Sequence, residues 1–285
     1  MKNVRTDLAL ESGALYDGGS VDGVEVEEFT RSGWKVTRVK VLSEGGAQAL
    51  GKPVGTYLTL DLTDYQSAGT DAFPRAVEAV GTCLNELLPR RQGCALIVGL
   101  GNRTVTPDAI GPRAADRVLV TRHLHDQAPG QFDHFFPVAA LAAGVLGTTG
   151  IESGALVSAV CREIQPAFIL AVDALAARSV KRLCTTIQIA DTGITPGSGV
   201  GNARKALNQA TLGVPVIALG IPTVVDGATL AHEVGASESH ALEGVLVTPK
   251  DIDSLVAELS RVVGYGINTC LQEGLSVADM DYFLG

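Results

Sequence analysis

Hydrophobic and polar positions follow two different periods along this chain. Between Trp34 and Leu42, and again between Thr56 and Leu62, apolar residues alternate with polar ones, which predicts strands with one face in water. From residue 72 to residue 88, apolar residues recur at helical spacing, and Pro89 ends the helix that they predict. The alternating segments predict a small β extension near the N-terminus.

Further along, short apolar runs alternate with amphipathic segments. The apolar runs predict buried strands over 94–100, 167–172, 185–190 and 214–219. The amphipathic segments predict helices over about 110–122, 152–163 and 252–271. Alternating strands and helices are typical of an α/β protein with a doubly wound, mostly parallel or mixed sheet flanked by helices. We expect residues 1–33 to form a loosely structured leader. We expect residues 138–154 to form a buried loop or a segment that leads into a helix.

The composition of the chain limits the classes of protein to which it can belong. A length of 285 residues with 46% hydrophobic and 19% charged residues suits one large globular domain. The formal net charge of −9 argues against a nonspecific nucleic-acid binder. The N-terminus lacks an apolar signal core, and five scattered cysteines predict reduced thiols. We therefore expect a soluble cytoplasmic protein with no membrane segment and no direct nucleic-acid partner.

Two aspartates follow strand-like apolar runs. Asp108 comes after the run 94–100 and a short loop, and Asp173 comes directly after the run 167–172. Because buried strands carry their loops to one edge of an open α/β sheet, the two carboxylates are expected to share a site there. A shared pair provides both a proton donor and a proton acceptor.

Each acid also has a purely structural interpretation. Asp108 precedes a predicted helix and would serve as its N-cap. Asp173 would need a salt bridge, with Arg178 or Lys181 as the partner. Glu152 opens another predicted helix, where a negative charge complements the helix dipole, and it is a possible third acid beside the pair.

A glycine-rich loop follows the run 185–190. It contains Gly193, Gly197, Ser198, Gly199 and Gly201, but no Lys-Ser or Lys-Thr pair follows, so it is not a P-loop. We expect a tight loop whose backbone packs beside the site, and its N–H groups are candidates to hold an oxyanion.

Other catalytic signatures are missing from the sequence. The chain contains neither an HExxH nor a GxSxG motif. A zinc site made by His134 with Asp108 and Asp173 stays open as an alternative, although no spacing favours it. No cofactor and no metal ligand are predicted, with a divalent metal as the alternative.

Several segments together resemble the germination proteases, the spore endopeptidases that degrade small acid-soluble spore proteins. The matching segments run in order along nearly the whole chain: 4–9, 98–102, 105–109 with 111–112, 121–124, 149–152, 172–179, 196–202, 220–226 and 247–250.

The resemblance implies an atypical aspartic-type endopeptidase with the fold of hydrogenase maturation proteases. It implies a homotetramer made as a zymogen in the spore core, with Asp108 and Asp173 as the catalytic pair. It also implies self-cleavage at Asp7–Leu8, which divides the chain into a propeptide, 1–7, and a single peptidase domain, 8–285.

Two departures from the family pattern stand out. Only residues 227–246 join the Ile-Pro-Thr-Val-Val-Asp segment to Val-Thr-Pro-Lys, where the family usually carries a long charged insert. Thr195 stands where the family usually has a histidine, so a histidine role in that loop does not transfer. Two other functions stay open: a metal-dependent peptidase using the same acids, and a maturation or chaperone-like protein that binds without cutting.

Overall fold

The computed structural model describes residues 6–89, 92–201, 204–235, 242 and 244–284. In this part of the chain, nine strands form one sheet: β1 Val24–Arg31, β2 Trp34–Val41, β3 Gly55–Asp61, β4 Ala95–Leu100, β5 Val138–Gly144, β6 Phe168–Ala177, β7 Thr186–Ala190, β8 Val216–Asp226 and β9 Leu246–Val247. The α-helices of the same part are α1 Glu44–Leu50, α2 Ala72–Leu87, α3 Ile110–Ala115, α4 Arg122–Gln127, α5 Leu146–Thr149, α6 Ser153–Ile164, α7 Gln209–Leu212, α8 Gly227–Glu233, α9 Ile252–Leu271 and α10 Val277–Leu284.

The sheet is mixed, with a parallel half and an antiparallel half. Its order is β1-β2-β3-β7-β8-β6-β4-β5, with β9 paired to β8. Strands β8, β6, β4 and β5 are parallel, and β1, β2, β3 and β7 join them through antiparallel pairs. The predicted mixed α/β sheet flanked by helices, with its N-terminal β extension, is confirmed. The closer likeness to hydrogenase maturation proteases stays a prediction.

The two faces of the sheet are covered by different helices. Along β6, Leu170 and Val172 belong to the cluster that includes side chains of α2 and α9, whereas Ile169 and Ala171 pack with residues of α6. Because side chains alternate along a strand, Asp173 lies on the same face as Ile169 and Ala171. The middle of β6 therefore presents Asp173 on the α6 side of the sheet.

Strand β6 is longer than the apolar run predicted. It continues past Asp173 to Ala177, because it pairs with β8 from Ile169–Val216 to Ala177–Val225. Asp173 therefore lies inside the strand, and the expectation that it ends the strand is wrong. The charged residue resembled a strand end only because an ionised carboxylate is rare in a buried strand.

Three other expectations are wrong. Part of the leader, 24–31, is strand β1, and Leu8 and Ala9 are fully buried. Segment 138–144 is strand β5, parallel to β4. The helix expected over 110–122 ends at Ala115, and the backbone after it is hydrogen-bonded to Asn268 of α9 at Arg117 and Leu119. Within the described residues, no helix is long and apolar enough to span a membrane.

Candidate active site

A cavity of about 420 Å³ opens beside the middle of β6, and we call it the carboxylate cavity. It brings together residues from the N-terminal segment, the loop after β4, strand β6 and the glycine-rich loop. Its polar lining includes Asp7, Asp108, Asp173, Ser198, Thr223 and Arg204. The two aspartates singled out in the sequence therefore face one cavity.

Asp108 ends a short 3-10 turn, Thr106–Asp108, in the loop after β4. Its Oδ2 accepts the N–H of Asn102 at 2.8 Å. The loop is tight because Gly101 adopts a φ of +111°, and a Cβ there would lie 2.1 Å from the Asp108 carbonyl oxygen. The N-cap of α3 is Ala109, so the expectation that Asp108 caps the helix is wrong.

Asp108 is half-buried, and this burial raises the pKa of its carboxyl group, while the hydrogen bond from Asn102 opposes the rise. A carboxylate with a raised pKa is a stronger base than an exposed one, and a backbone N–H stabilises its ionised form. Asp108 combines both features and is suited to take up a proton.

Asp173 is only 5% exposed, and its Oδ1 accepts the N–H of Ala174 at 2.9 Å. Burial is the largest cause that raises the pKa of this carboxyl group well above its usual range, followed by the charge of Asp108. The ion pair proposed with Arg178 is wrong, because Arg178 lies 2.6 Å from Glu233 instead. Among the described residues, no cation lies within ion-pair distance of Asp173.

The glycine-rich loop contacts the N-terminal segment. The Ser198 hydroxyl donates to Asp7 Oδ1 at 2.6 Å. A Cβ at Gly199 would lie 2.1 Å from Asp7 Oδ2, so only glycine allows this approach. Gly197 and Gly201 flank the turn Ser198–Val200 with left-handed backbones, and Gly193 packs against Leu207. An oxyanion role for the loop stays a prediction.

Asp7 lines the cavity, and the N-terminal segment around it, residues 6–9, is held by several contacts with the rest of the protein. The N–H of Asp7 donates to the Ala176 carbonyl oxygen at 2.9 Å, and Asp7 Oδ2 accepts the N–H of Ala176 at 2.9 Å. Leu8 is completely buried in an apolar cluster with Leu175 and Val225. The backbone and both side chains of Asp7–Leu8 are therefore recognised.

Two further polar residues touch this segment, and sequence reasoning missed both. Lys52 Nζ donates to the Asp7 carbonyl oxygen at 2.8 Å, and Gln188 Nε2 donates to the same oxygen at 3.1 Å. The sequence could have indicated Gln188, because a glutamine between Ile187 and Ile189 in a buried strand needs hydrogen-bond partners. Nothing in the sequence around Lys52, which follows the glycine that ends α1, indicates its role in the site.

Two of the other candidates lie outside this cavity. Glu152, the possible third acid, is the N-cap of α6, and both of its carboxylate oxygens accept from Arg204, at 2.9 and 3.0 Å. His134 lines a different cavity beside Cys94 and Pro137, at the amino ends of β4 and β5. Asp108 follows the carboxyl end of β4, so a zinc site that joins His134 to it is wrong. No cluster of metal-ligating side chains occurs among the residues that the structure describes.

Comparisons with known proteins identify a family for this chain. A family model described as germination protease matches residues 7–237. A germination protease of Caldanaerobacter subterraneus is 40% identical and aligns with 99% of this chain and 98% of its own length. One from Clostridium perfringens is 40% identical with both chains fully covered, and one from Priestia megaterium is 44% identical over 81% of this chain and 66% of its own.

These relatives define a peptide hydrolase, which here is built on a mixed α/β sheet. The chain belongs to the germination protease family, as its sequence motifs indicated, and is an endopeptidase of spore germination.

Proposed function

We propose that this endopeptidase is made as a zymogen, cuts its own Asp7–Leu8 bond, and then degrades small acid-soluble spore proteins. Self-cleavage would release residues 1–7 and leave a single peptidase domain, 8–285. The catalytic pair is Asp108 and Asp173, and the reaction needs no cofactor. The enzyme acts in the spore core as a homotetramer.

One observation carries this proposal: Asp7, on one side of the Asp7–Leu8 bond, lines the same cavity as the two carboxylates. Asp7 lines the carboxylate cavity together with Asp108 and Asp173, and its charge contributes to the raised pKa of Asp173. The segment is held at the Asp7 side chain, at the backbone and at the Leu8 side chain. A substrate bound in a cleft is held in this manner.

The environments of the two acids support different roles for them. Asp173 is the more deeply buried acid and faces the charge of Asp108, so it keeps its proton. Asp108 is half-buried and hydrogen-bonded to the Asn102 N–H, so it is the ionised member. Two groups whose surroundings separate their pKa values form an acid and base pair.

The reaction then follows from these protonation states. Ionised Asp108 takes a proton from a water molecule, and the water oxygen bonds to the carbonyl carbon of Asp7. The C–N bond to Leu8 breaks, and Asp173 gives its proton to the leaving nitrogen. The products are a new carboxyl group on Asp7 and a new amino group on Leu8. A proton then passes from Asp108 back to Asp173.

The test uses the full-length chain and its N-terminal sequence. Asp108→Asn and Asp173→Asn should each abolish cleavage at Asp7–Leu8 in intact-mass measurements, with the fold retained. Asp64→Asn, which changes an exposed aspartate, is the matched control and should cleave normally. Cleavage by either site variant at the wild-type rate contradicts the pair, and loss of wild-type cleavage in a chelator favours the metal-dependent alternative.

Incubation with a small acid-soluble spore protein tests the substrate. Stable binding without any cleavage would favour the maturation or chaperone-like alternative.

A further inference from the structure

Two side-chain donors meet at the carbonyl oxygen of Asp7. Lys52 Nζ lies 2.8 Å from this oxygen, and Gln188 Nε2 lies 3.1 Å from it. A carbonyl oxygen has two lone pairs, so its acceptor capacity is filled by these two donors. This carbonyl belongs to the Asp7–Leu8 peptide bond, the bond of the proposed self-cleavage.

Gln188 fixes this peptide bond from both sides. Its Nε2 binds the Asp7 carbonyl oxygen, and its Oε1 accepts the N–H of Ala9 at 2.7 Å. One amide group therefore spans Leu8 and holds the backbone on either side of it. Gln188 is a strand residue that is 7% exposed, so its position is set by the sheet.

The ammonium group of Lys52 is used in an uncommon manner. It donates to two backbone carbonyl oxygens, those of Thr6 at 3.2 Å and of Asp7. Within the described residues, no carboxylate lies within ion-pair distance of it, although buried lysines usually pair with a charge. Burial lowers the pKa of Lys52, while the charges of Asp7 and Glu11 oppose this effect. The Lys52 side-chain nitrogen is therefore directed at neutral carbonyl oxygens of the N-terminal segment.

The sheet register places Gln188 on the face of the sheet that carries Asp173, two strands away from it. Gln188 pairs with Gly220 across β7 and β8, and Gly220 pairs with Asp173 across β8 and β6. Paired residues on neighbouring strands point to the same face, and strands lie about 4.8 Å apart. Gln188 and Asp173 are therefore on one face of the sheet, about 10 Å apart from backbone to backbone by that spacing.

We propose that Lys52 is a catalytic residue, whose ammonium group stabilises the negative charge that develops on the scissile carbonyl oxygen, and that Gln188 positions the bond for attack. The inference rests on the proposed function, because it takes Asp7–Leu8 as the bond that is cut. As the water oxygen bonds to the Asp7 carbon, the carbonyl π electrons move to the oxygen, where Lys52 and Gln188 donate. When the C–N bond breaks, the carbonyl reforms, and Lys52 keeps its proton throughout.

The experiment measures first-order self-cleavage of the full-length chain at Asp7–Leu8 by intact mass. Lys52→Met should lower the rate by about 10² to 10³-fold, the range for loss of one oxyanion donor. Lys52→Arg keeps the charge and should recover part of the rate. Lys35→Met changes an exposed lysine of β2 and should cleave like the wild type. Asp173→Asn, measured alongside, tests the proposed function itself.

Hydrogen exchange at the Ala9 amide separates catalysis from binding. If Lys52→Met is slow while the Ala9 amide, bonded to Gln188, stays protected, the inference is supported. If the variant is slow because this amide has lost its protection, Lys52 only holds the segment, and the inference is overturned. A wild-type rate in Lys52→Met overturns the inference while the proposed function stands. Absence of cleavage in the wild type itself overturns both.

The pH profile gives a second readout. The wild-type rate should fall at alkaline pH as Lys52 loses its proton, and Lys52→Arg should lack this fall. The groups that face Lys52 are Asp7 and Glu11 of the N-terminal segment and the Tyr57 phenol of β3, whose pKa burial raises to about 12. An identical alkaline fall in Lys52→Arg would assign it to another group and overturn the role of Lys52.

Discussion

The negative charge of Asp108 acts on Asp173 across the carboxylate cavity and, together with burial, raises the pKa of Asp173. The two side chains come from different parts of the chain, one from the loop after β4 and one from the middle of β6. Because β4 and β6 are adjacent and parallel, and Gly99 pairs with Val172, the carboxyl end of β4 lies beside the middle of β6. The sheet topology thus creates the electrostatic coupling between the acids.

The raised pKa of Asp173 predicts a loss of stability as pH rises. The folded protein keeps a proton on Asp173 at pH values where the unfolded chain, with the ordinary value of 3.8, has lost it. The folded state therefore binds more protons in this window, and the free energy of unfolding falls as pH rises through it. Asp173→Asn removes this effect and should be more stable than the wild type at neutral pH, by about 1.4 kcal/mol per unit of raised pKa.

Urea unfolding at several pH values measures this difference. The advantage of Asp173→Asn should shrink toward zero near pH 3, where both states of the wild type are protonated. Asp64→Asn changes an exposed carboxylate and should show no comparable trend. A variant that is less stable than the wild type at neutral pH would contradict the raised pKa.

Substitution of Gly199 tests how closely the N-terminal segment packs against the glycine-rich loop. A methyl group there would lie 2.1 Å from Asp7 Oδ2 and 2.7 Å from the Ala176 Cβ, and hydrogen bonds from Ser198 and Ala176 hold the Asp7 carboxylate in place. Gly199→Ala should displace the segment, at a cost of about 1 to 3 kcal/mol. Amide exchange at Ala9 should accelerate accordingly.

The matched control is Gly147→Ala, because a Cβ at this α5 position meets no atom within 4 Å. Exchange at Ala9 in this variant should equal that of the wild type. Equal protection in Gly199→Ala would mean that the segment tolerates the added methyl group and is not closely packed on the loop.

We expect Ser198 to contribute measurably to recognition of the Asp7 side chain. Its hydroxyl donates to Asp7 Oδ1 at 2.6 Å, and hydrogen bonds to charged groups contribute about 1.5 to 3 kcal/mol. Ser198→Ala should therefore slow self-cleavage by at least about tenfold. Ser254→Ala, an exposed serine of α9, is the control, and equal cleavage rates in the two variants would exclude this contribution.

Much of the parallel half of the sheet could be predicted from the chain alone. Buried strands have continuous apolar runs, and such runs marked β4 and the first half of β6. They also placed Asp108 and Asp173 near one sheet edge. The prediction stopped too early on β6, because nothing local shows that Ala174–Ala177 continue to pair with β8.

The rest of the site depends on contacts between distant positions. Lys52 reaches the Asp7 carbonyl from 45 positions away, and Gln188 reaches it from 181. No periodicity within a short window encodes such pairs, because they result from the order of the strands. The N-terminal segment looked like a loose leader for the same reason: the partners that bury Leu8 lie on β6 and β8.

The contacts of Glu11 predict that the N-terminal segment contributes to the stability of the whole fold. It is 3% exposed, and its carboxylate accepts from the N–H groups of Arg178 and Ser179 at 2.6 and 3.0 Å and from the Thr6 hydroxyl at 2.7 Å. Glu11→Gln places an amide N–H₂ against groups that donate, so unfolding in urea should require about 1.5 to 3 kcal/mol less free energy. Glu25→Gln, on an exposed position of β1, should change it by less than about 0.5 kcal/mol. Equal stability of the two variants would show that the buried carboxylate is not required as an acceptor.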